Sequence, residues 1–197
     1  MARTAVVRRV TGETQIEAAL SLDGSGQAQI ATGIGFFDHM MNAFARHGLF
    51  DLTLSVQGDL EVDGHHSVED TGIVLGAAIA EAAGDKKGIR RYGYFVLPMD
   101  EALVLCAVDL CGRPYFVMDG GEKITAPMVG GFDTQLVREF FYAVSYAAGM
   151  NLHFRIFAGE NSHHIIEAMF KAFAKALDMA TGYDGRIEDV LSTKGCL

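Results

Sequence analysis

Two blocks of this 197-residue chain repeat one another, and that repeat constrains the fold more than any other feature. The first block runs His47-Gly-Leu-Phe-Asp-Leu-Thr-Leu54, a turn, His65-His66, Glu69 and an apolar helical run. The second runs Ala147-Ala-Gly-Met-Asn-Leu-His-Phe154, a turn, His163-His164, Glu167 and another helical run. The leading segments are offset by 100 residues and the histidine pairs by 98, so two residues are lost from the intervening turn. A repeat this long is a duplicated supersecondary unit, not a solenoid of short ones. With no Pro- or Ser-rich linker, the expectation is one domain over 1–197, its two similar halves (about 1–95 and 96–197) sharing one core.

Each copy reads as helix, strand, turn, helix. Phe37, Met40, Met41 and Phe44 recur at helical spacing over Phe36–His47, with Gly48 placed to end the helix as the C′ residue. Leu52, Leu54 and Val56 alternate as in a strand with one buried face. Ser67 with Asp70 three residues on predicts a capping box for a helix through Ala83. The second copy predicts a helix over 134–148, a strand over 151–157 and a helix over 163–179. Further strands are expected at 5–10, 14–21, 103–109 and 115–118. Such a mixture, with few βαβ crossovers, predicts an α+β fold: an internally duplicated unit with helices packed on β-sheet.

Half of the residues are apolar and 21% are charged, enough to build a buried core. The net charge of −9 argues against nucleic acid or an anionic membrane as partner. Apolar stretches such as Ala102–Val108 are too short to span a bilayer, and the N-terminus lacks the apolar segment of a signal peptide. Cys106, Cys111 and Cys196 have no C-x-x-C spacing, which fits a reducing cytoplasm. A cytoplasmic location is therefore expected.

Four of the seven histidines form the two His-His-x-x-Glu blocks. At a helix start either histidine can share a face with the glutamate, at i,i+4 or i,i+3. Adjacent helical residues point about 100° apart, so one pair does not easily chelate a single ion but can give one ligand to each of two. Two such pairs make a candidate two-metal site whose imidazole and carboxylate donors suit Mn, Fe, Ni or Zn. His39 and Glu139, at equivalent points of the two opening helices, are further candidate ligands. His47 is eight residues past His39, about 12 Å along a helix, so the two cannot share an ion within one chain. His153 sits mid-strand without a partner pattern and reads as structural.

The segments GFFDHMMNAFARHG (35–48), DGHHSVEDTG (63–72), KKGIRRYG (86–93), CGRPY (111–115), NSHHIIEAMFKAFAKAL (161–177) and STKG (192–195) closely resemble the imidazoleglycerol-phosphate dehydratase family. The resemblance covers essentially the whole chain in the family's order. It implies a duplicated α+β fold, trimers assembled into a 24-subunit cage, and two Mn2+ ions per active site at subunit contacts. It implies metal ligation by His39, His65, His66, Glu69, His163, His164 and Glu167. Glu139, where some members carry His, is retained as a ligand. Arg91, Arg113, Lys171, Ser192 and Lys194, with Thr193 in the same tail motif, match positions that hold the substrate phosphate. His47 matches a substrate- or metal-contacting position, and Glu13 a catalytic carboxylate.

The implied reaction removes water from imidazole glycerol phosphate to give imidazole acetol phosphate in histidine biosynthesis. If both ring nitrogens bind metals, the ring becomes an imidazolate that can expel hydroxide and leave a diazafulvene. The neighbouring C–H is then acidic enough for one general base, the role expected of Glu13. Two rivals stay open on the residues alone. A two-metal phosphohydrolase would use bridging carboxylates, whereas the donors here are mostly histidine. A non-enzymatic metal-binding shell would use Glu-x-x-His on long bundle helices, whereas strands interrupt the short helices here.

Overall fold

The computed structural model describes residues 3–197. The first half contains strands β1 (Thr4–Val10), β2 (Thr14–Ser21) and β3 (Ala28–Ala31), helix α1 (Gly35–Gly48), strand β4 (Asp51–Gly58) and helix α2 (His65–Ala83). The second half repeats that order with β5 (Tyr92–Met99), β6 (Ala102–Asp109) and β7 (Tyr115–Asp119). After an insertion carrying a 3-10 turn and the hairpin β8 (Met128–Val129) and β9 (Phe132–Asp133) come α3 (Leu136–Ala148), β10 (Asn151–Ala158) and α4 (Ser162–Thr181). The join between the halves lies in residues 84–91, so the division drawn near residue 95 falls inside β5.

The two four-stranded sheets have matching orders, β1-β2-β4-β3 and β5-β6-β10-β7. In each, the third strand of its half runs parallel to the strand that follows the first helix, and the other pairings are antiparallel. Alternation fixes register: Leu20 lies opposite Leu52, and Val108 opposite Leu152, all buried. The helices of the two halves then pack on each other, α1 on α4 and α2 on α3. Phe37 of α1 meets Phe140 of α3 with ring centroids 5.3 Å apart, and Phe44 of α1 stacks on Phe173 of α4 at 5.5 Å. One aromatic core therefore spans both halves.

Glycines set how closely the layers approach. A side chain at Gly76 of α2 would come within 2.6 Å of the Val144 carbonyl oxygen of α3, and one at Gly72 within 2.7 Å of that of Phe140. Four residues apart on α2, they form a flat strip against the backbone of α3.

Two local expectations are corrected. Ser67 does not cap α2: the helix already begins at His65, and Ser67 Oγ is buried without a partner among the described residues. Asp70 instead accepts hydrogen bonds from Arg9 Nε at 2.8 Å and Thr14 Oγ1 at 2.5 Å, tying α2 to the first sheet. The helix starts are held two residues before each histidine pair, where Asp63 accepts from the His65 N–H at 2.7 Å and Asn161 from the His163 N–H at 2.9 Å. Gly48 is not the left-handed residue ending α1; Leu49 is, at φ 58°. Gly48 is the last helical residue, and a side chain there would collide with the ring of Phe50.

Candidate metal centre

The cross-packing of helices assembles the site. His39 on α1 faces the first turns of α4, and there His39, His163 and Glu167 each offer a ligand atom, all within 4.8 Å of one another. Glu167 Oε2 is 3.1 Å from His163 Nε2 and 3.3 Å from His39 Nε2. Phe36 closes one side, its ring centroid 5.0 Å from that of His163. The other carboxylate oxygen of Glu167 lies 2.6 Å from Lys171 Nζ, one turn along α4. Burial pushes the Glu167 pKa up, but Lys171, His39 and His163 outweigh it and hold the carboxyl below its usual range. Two imidazole nitrogens and a carboxylate oxygen converging this closely fit a divalent first-row ion, and two such nitrogens favour it over Mg2+ or Ca2+.

The duplicate of this arrangement lies on the other helix pair. His65 Nε2 is 3.6 Å from Glu69 Oε2 on α2, and His65 shares a cavity of about 680 Å3 with Glu139 of α3. This second group is more open. Among the described residues, only the His39 group draws three donors together.

The second histidine of each pair turns away, with ring planes at 81° between His65 and His66 and 79° between His163 and His164. His66 Nδ1 lies 3.0 Å from Asp59 Oδ2, and its Nε2 is 3.6 Å from Glu13 Oε1. His164 Nδ1 lies 2.8 Å from Glu101 Oε2, and its Nε2 is 3.8 Å from Asp100. The carboxylates raise the pKa of both histidines. The bond from His164, with the Asn161 N–H, holds Glu101 down to about 2. Glu13 is exposed in the turn just before β2. Sequence reasoning missed Asp59, Asp100 and Glu101, which carry no motif and look like ordinary turn residues.

The phosphate candidates do not form one cluster within the chain. Arg91, at φ 68°, is paired through Nε and Nη2 with Asp109 at 2.7 and 3.1 Å. Its Nη1 donates to the Leu191 carbonyl at 2.7 Å, docking the tail. Next to that contact Ser192, Thr193 and Lys194 form a turn, with the Lys194 N–H on Ser192 Oγ at 3.2 Å. Arg113 is exposed, and its guanidinium makes no hydrogen bond among the described residues. His47 lies at the end of α1, where desolvation, with Lys171 nearby, lowers its pKa. His153 is on the exposed face of β10, stacked on Tyr115.

Comparison with known proteins gives this geometry its setting. The profile described as imidazoleglycerol-phosphate dehydratase matches residues 32–177. The protein of that name from Lachnoclostridium phytofermentans is 63% identical over 99% of this chain and 98% of its own length. The one from Acetivibrio thermocellus is 58% identical over the whole of both chains. The crystal structure of imidazoleglycerol-phosphate dehydratase from Staphylococcus aureus superposes with a TM-score of 0.82 at 39% identity, covering 92% of this chain and 99% of the other. That from Pyrococcus furiosus, in complex with (S)-C348, gives 0.82 at 36%, covering 97% and 100%. By sequence over its whole length and by fold, the chain belongs to the imidazoleglycerol-phosphate dehydratase family, hydro-lyases that act in histidine biosynthesis.

Proposed function

We propose that this chain binds two Mn2+ ions per active site and uses them to dehydrate D-erythro-imidazole-glycerol phosphate to imidazole acetol phosphate. The convergence of His39, His163 and Glu167 within 4.8 Å is the observation that carries the reading. His65, Glu69 and Glu139 are the ligands at the duplicate position, and His66 and His164 each present Nε2 to an ion completed by another chain. When bound, the ions supply the positive charge that lets the imidazole ring lose its N–H and push out the adjacent hydroxyl.

The chain's own residues do the rest. Arg91, Arg113, Lys171, Ser192, Thr193 and Lys194 hold the phosphate, which fixes the distance from that anion to the ring. Glu13 Oε1, close to His66 Nε2, takes the proton from the carbon next to the one that lost its hydroxyl. The resulting enol tautomerises to the ketone. His47 assists departure of the hydroxyl from beside Lys171.

The assembly is a cytoplasmic homo-oligomer, a 24-mer built from trimers, in which the open donor groups of one chain meet those of another. None of the described helices is long and apolar enough to cross a membrane. The test is to strip the protein with a chelator and restore Mn2+, following dehydration, bound metal and particle size by light scattering. About two ions per chain, recovered turnover and a metal-stabilised large particle are expected, because an ion that binds only the assembled state favours it by mass action. Full turnover in a rigorously metal-free sample would defeat the reading.

A further inference from the structure

The second histidine of each pair is held by a carboxylate at the same ring nitrogen in both halves, but from unrelated places in the chain. Asp59 follows β4, and its two oxygens lie 3.1 and 3.0 Å from His66 Nδ1. Glu101 sits in the β5–β6 turn, with Oε2 2.8 Å from His164 Nδ1. These residues are not duplicates of each other. The position 100 residues beyond Asp59 is Gly159, and the counterpart of the Glu101 turn is the β1–β2 turn that carries Glu13. Duplication accounts for the repeated histidines but not for two carboxylates that reach the same nitrogen from different elements. What the halves share is a requirement at Nδ1.

We propose that Asp59 and Glu101 are positioning residues that lock His66 and His164 as Nδ1–H tautomers and so aim an unprotonated Nε2 at a metal ion. An ionised carboxylate only accepts hydrogen bonds, so a neutral imidazole facing it must carry its proton on Nδ1 and its lone pair on Nε2. Such outer carboxylates fix the ring's orientation as well as its tautomer. Glu101 is itself immobilised: its Oε1 accepts the N–H groups of Asn161 at 2.8 Å and Glu160 at 3.2 Å. Asn161 is also the N-cap of α4, so the helix start and the histidine are set by one turn. The first histidine of each pair has a different arrangement, its Nε2 facing the glutamate four residues on. Within a pair, then, one ring is oriented by its own helix and the other by a neighbouring turn, which sends their donor nitrogens in different directions.

The inference rests on the metal reading above, and the experiment separates the two. The Mn2+ affinity and stoichiometry of the assembled protein are measured by competition with a chromophoric chelator for wild type, D59N, E101Q, H66A and H164A. Asparagine and glutamine keep the shape and a hydrogen bond, but their amide N–H can donate to Nδ1 and move the ring proton to Nε2. D59N and E101Q are therefore expected to weaken Mn2+ binding at part of the sites by about 10–100-fold. The unfolding midpoint of metal-free D59N should change little, whereas a merely structural role would move that midpoint and spare the affinity. If E101Q is unstable because Glu101 also receives backbone N–H groups, D59N decides alone, since the Asp59 carboxylate is engaged by His66 only among the described residues. Wild-type affinity in D59N, with ions lost in H66A and H164A, overturns the positioning role. Wild-type affinity in H66A and H164A as well overturns the metal reading and this inference together.

Discussion

Lys171 Nζ lies 2.6 Å from Glu167 Oε1, while the other oxygen of the same carboxylate faces His39 and His163. The lysine proposed to hold the substrate phosphate is thus also in contact with the carboxylate proposed as a metal ligand. An anion bound there would share its cation with Glu167, linking phosphate capture to the geometry of the ion. K171M should raise both the KM for substrate and the Kd for Mn2+, the latter by about 10–100-fold, as for loss of a group holding a ligand. Equilibrium dialysis against Mn2+ checks this; unchanged metal affinity would leave Lys171 with the phosphate alone.

Arg113 is the contrasting case, exposed and free of such ties. R113A is expected to raise KM with little effect on bound metal and a smaller fall in kcat, because the phosphate is remote from the bonds that change. E13Q should do the reverse: metal content and substrate binding nearly intact, with kcat lower by about 10²–10⁴-fold. Steady-state kinetics at saturating substrate, with metal content measured alongside, distinguishes the two. Wild-type kcat in E13Q would pass the proton to His47 or another base.

The strip of Gly72 and Gly76 makes a stability prediction. Alanine gains about 1 kcal/mol over glycine in a helix interior. At Gly76, however, its methyl group would sit 2.6 Å from a backbone carbonyl oxygen and 2.8 Å from the Ala147 side chain. Overpacking of this kind costs about 1–3 kcal/mol, so G76A should be destabilised on balance. Urea unfolding checks it, and a stability equal to wild type would mean that α2 and α3 can move apart freely.

Asp51 governs an acid-sensitive turn. Its Oδ1 accepts the N–H groups of Ser25 at 2.8 Å and Gln27 at 2.9 Å, which hold its pKa below the usual value. The folded state thus binds the proton more weakly than the unfolded state. The resulting stability is present above the unfolded pKa of about 4 and is lost as pH falls through the folded value. D51N should therefore be less stable than wild type at neutral pH, with the gap closing in acid. Urea midpoints at about pH 7 and pH 3 measure that gap, and a constant difference would contradict the assignment.

Much of this was legible in the residues. The duplication, the four helices and the strands with clear alternation, such as β2 and β4, follow from period and spacing alone. Strand β3 has only four residues, too few for a period to emerge. β5 carries Gly93 and Pro98, which weigh against a strand in isolation; it is an edge strand, where a missing N–H is tolerated. Gly93 is required there because a side chain would run into the Ala176 carbonyl of α4. The histidine pairs pointed to a candidate metal site, but which helix faced which was set by tertiary packing. Hence Glu167, besides meeting His163 of its own copy, joined His39 of the other half.

That exchange has a consequence for how the chain could be divided. His39 belongs to the first half and His163 with Glu167 to the second; His65 with Glu69 belongs to the first and Glu139 to the second. A cut anywhere in residues 84–91 would leave each fragment with one histidine pair and without the helix that faces it. Neither fragment would contain both His39 and the His163–Glu167 pair. The smallest object able to bring His39, His163 and Glu167 together is two half-length pieces with their helices packed on each other, and the peptide between Ala83 and Tyr92 makes that clasp permanent.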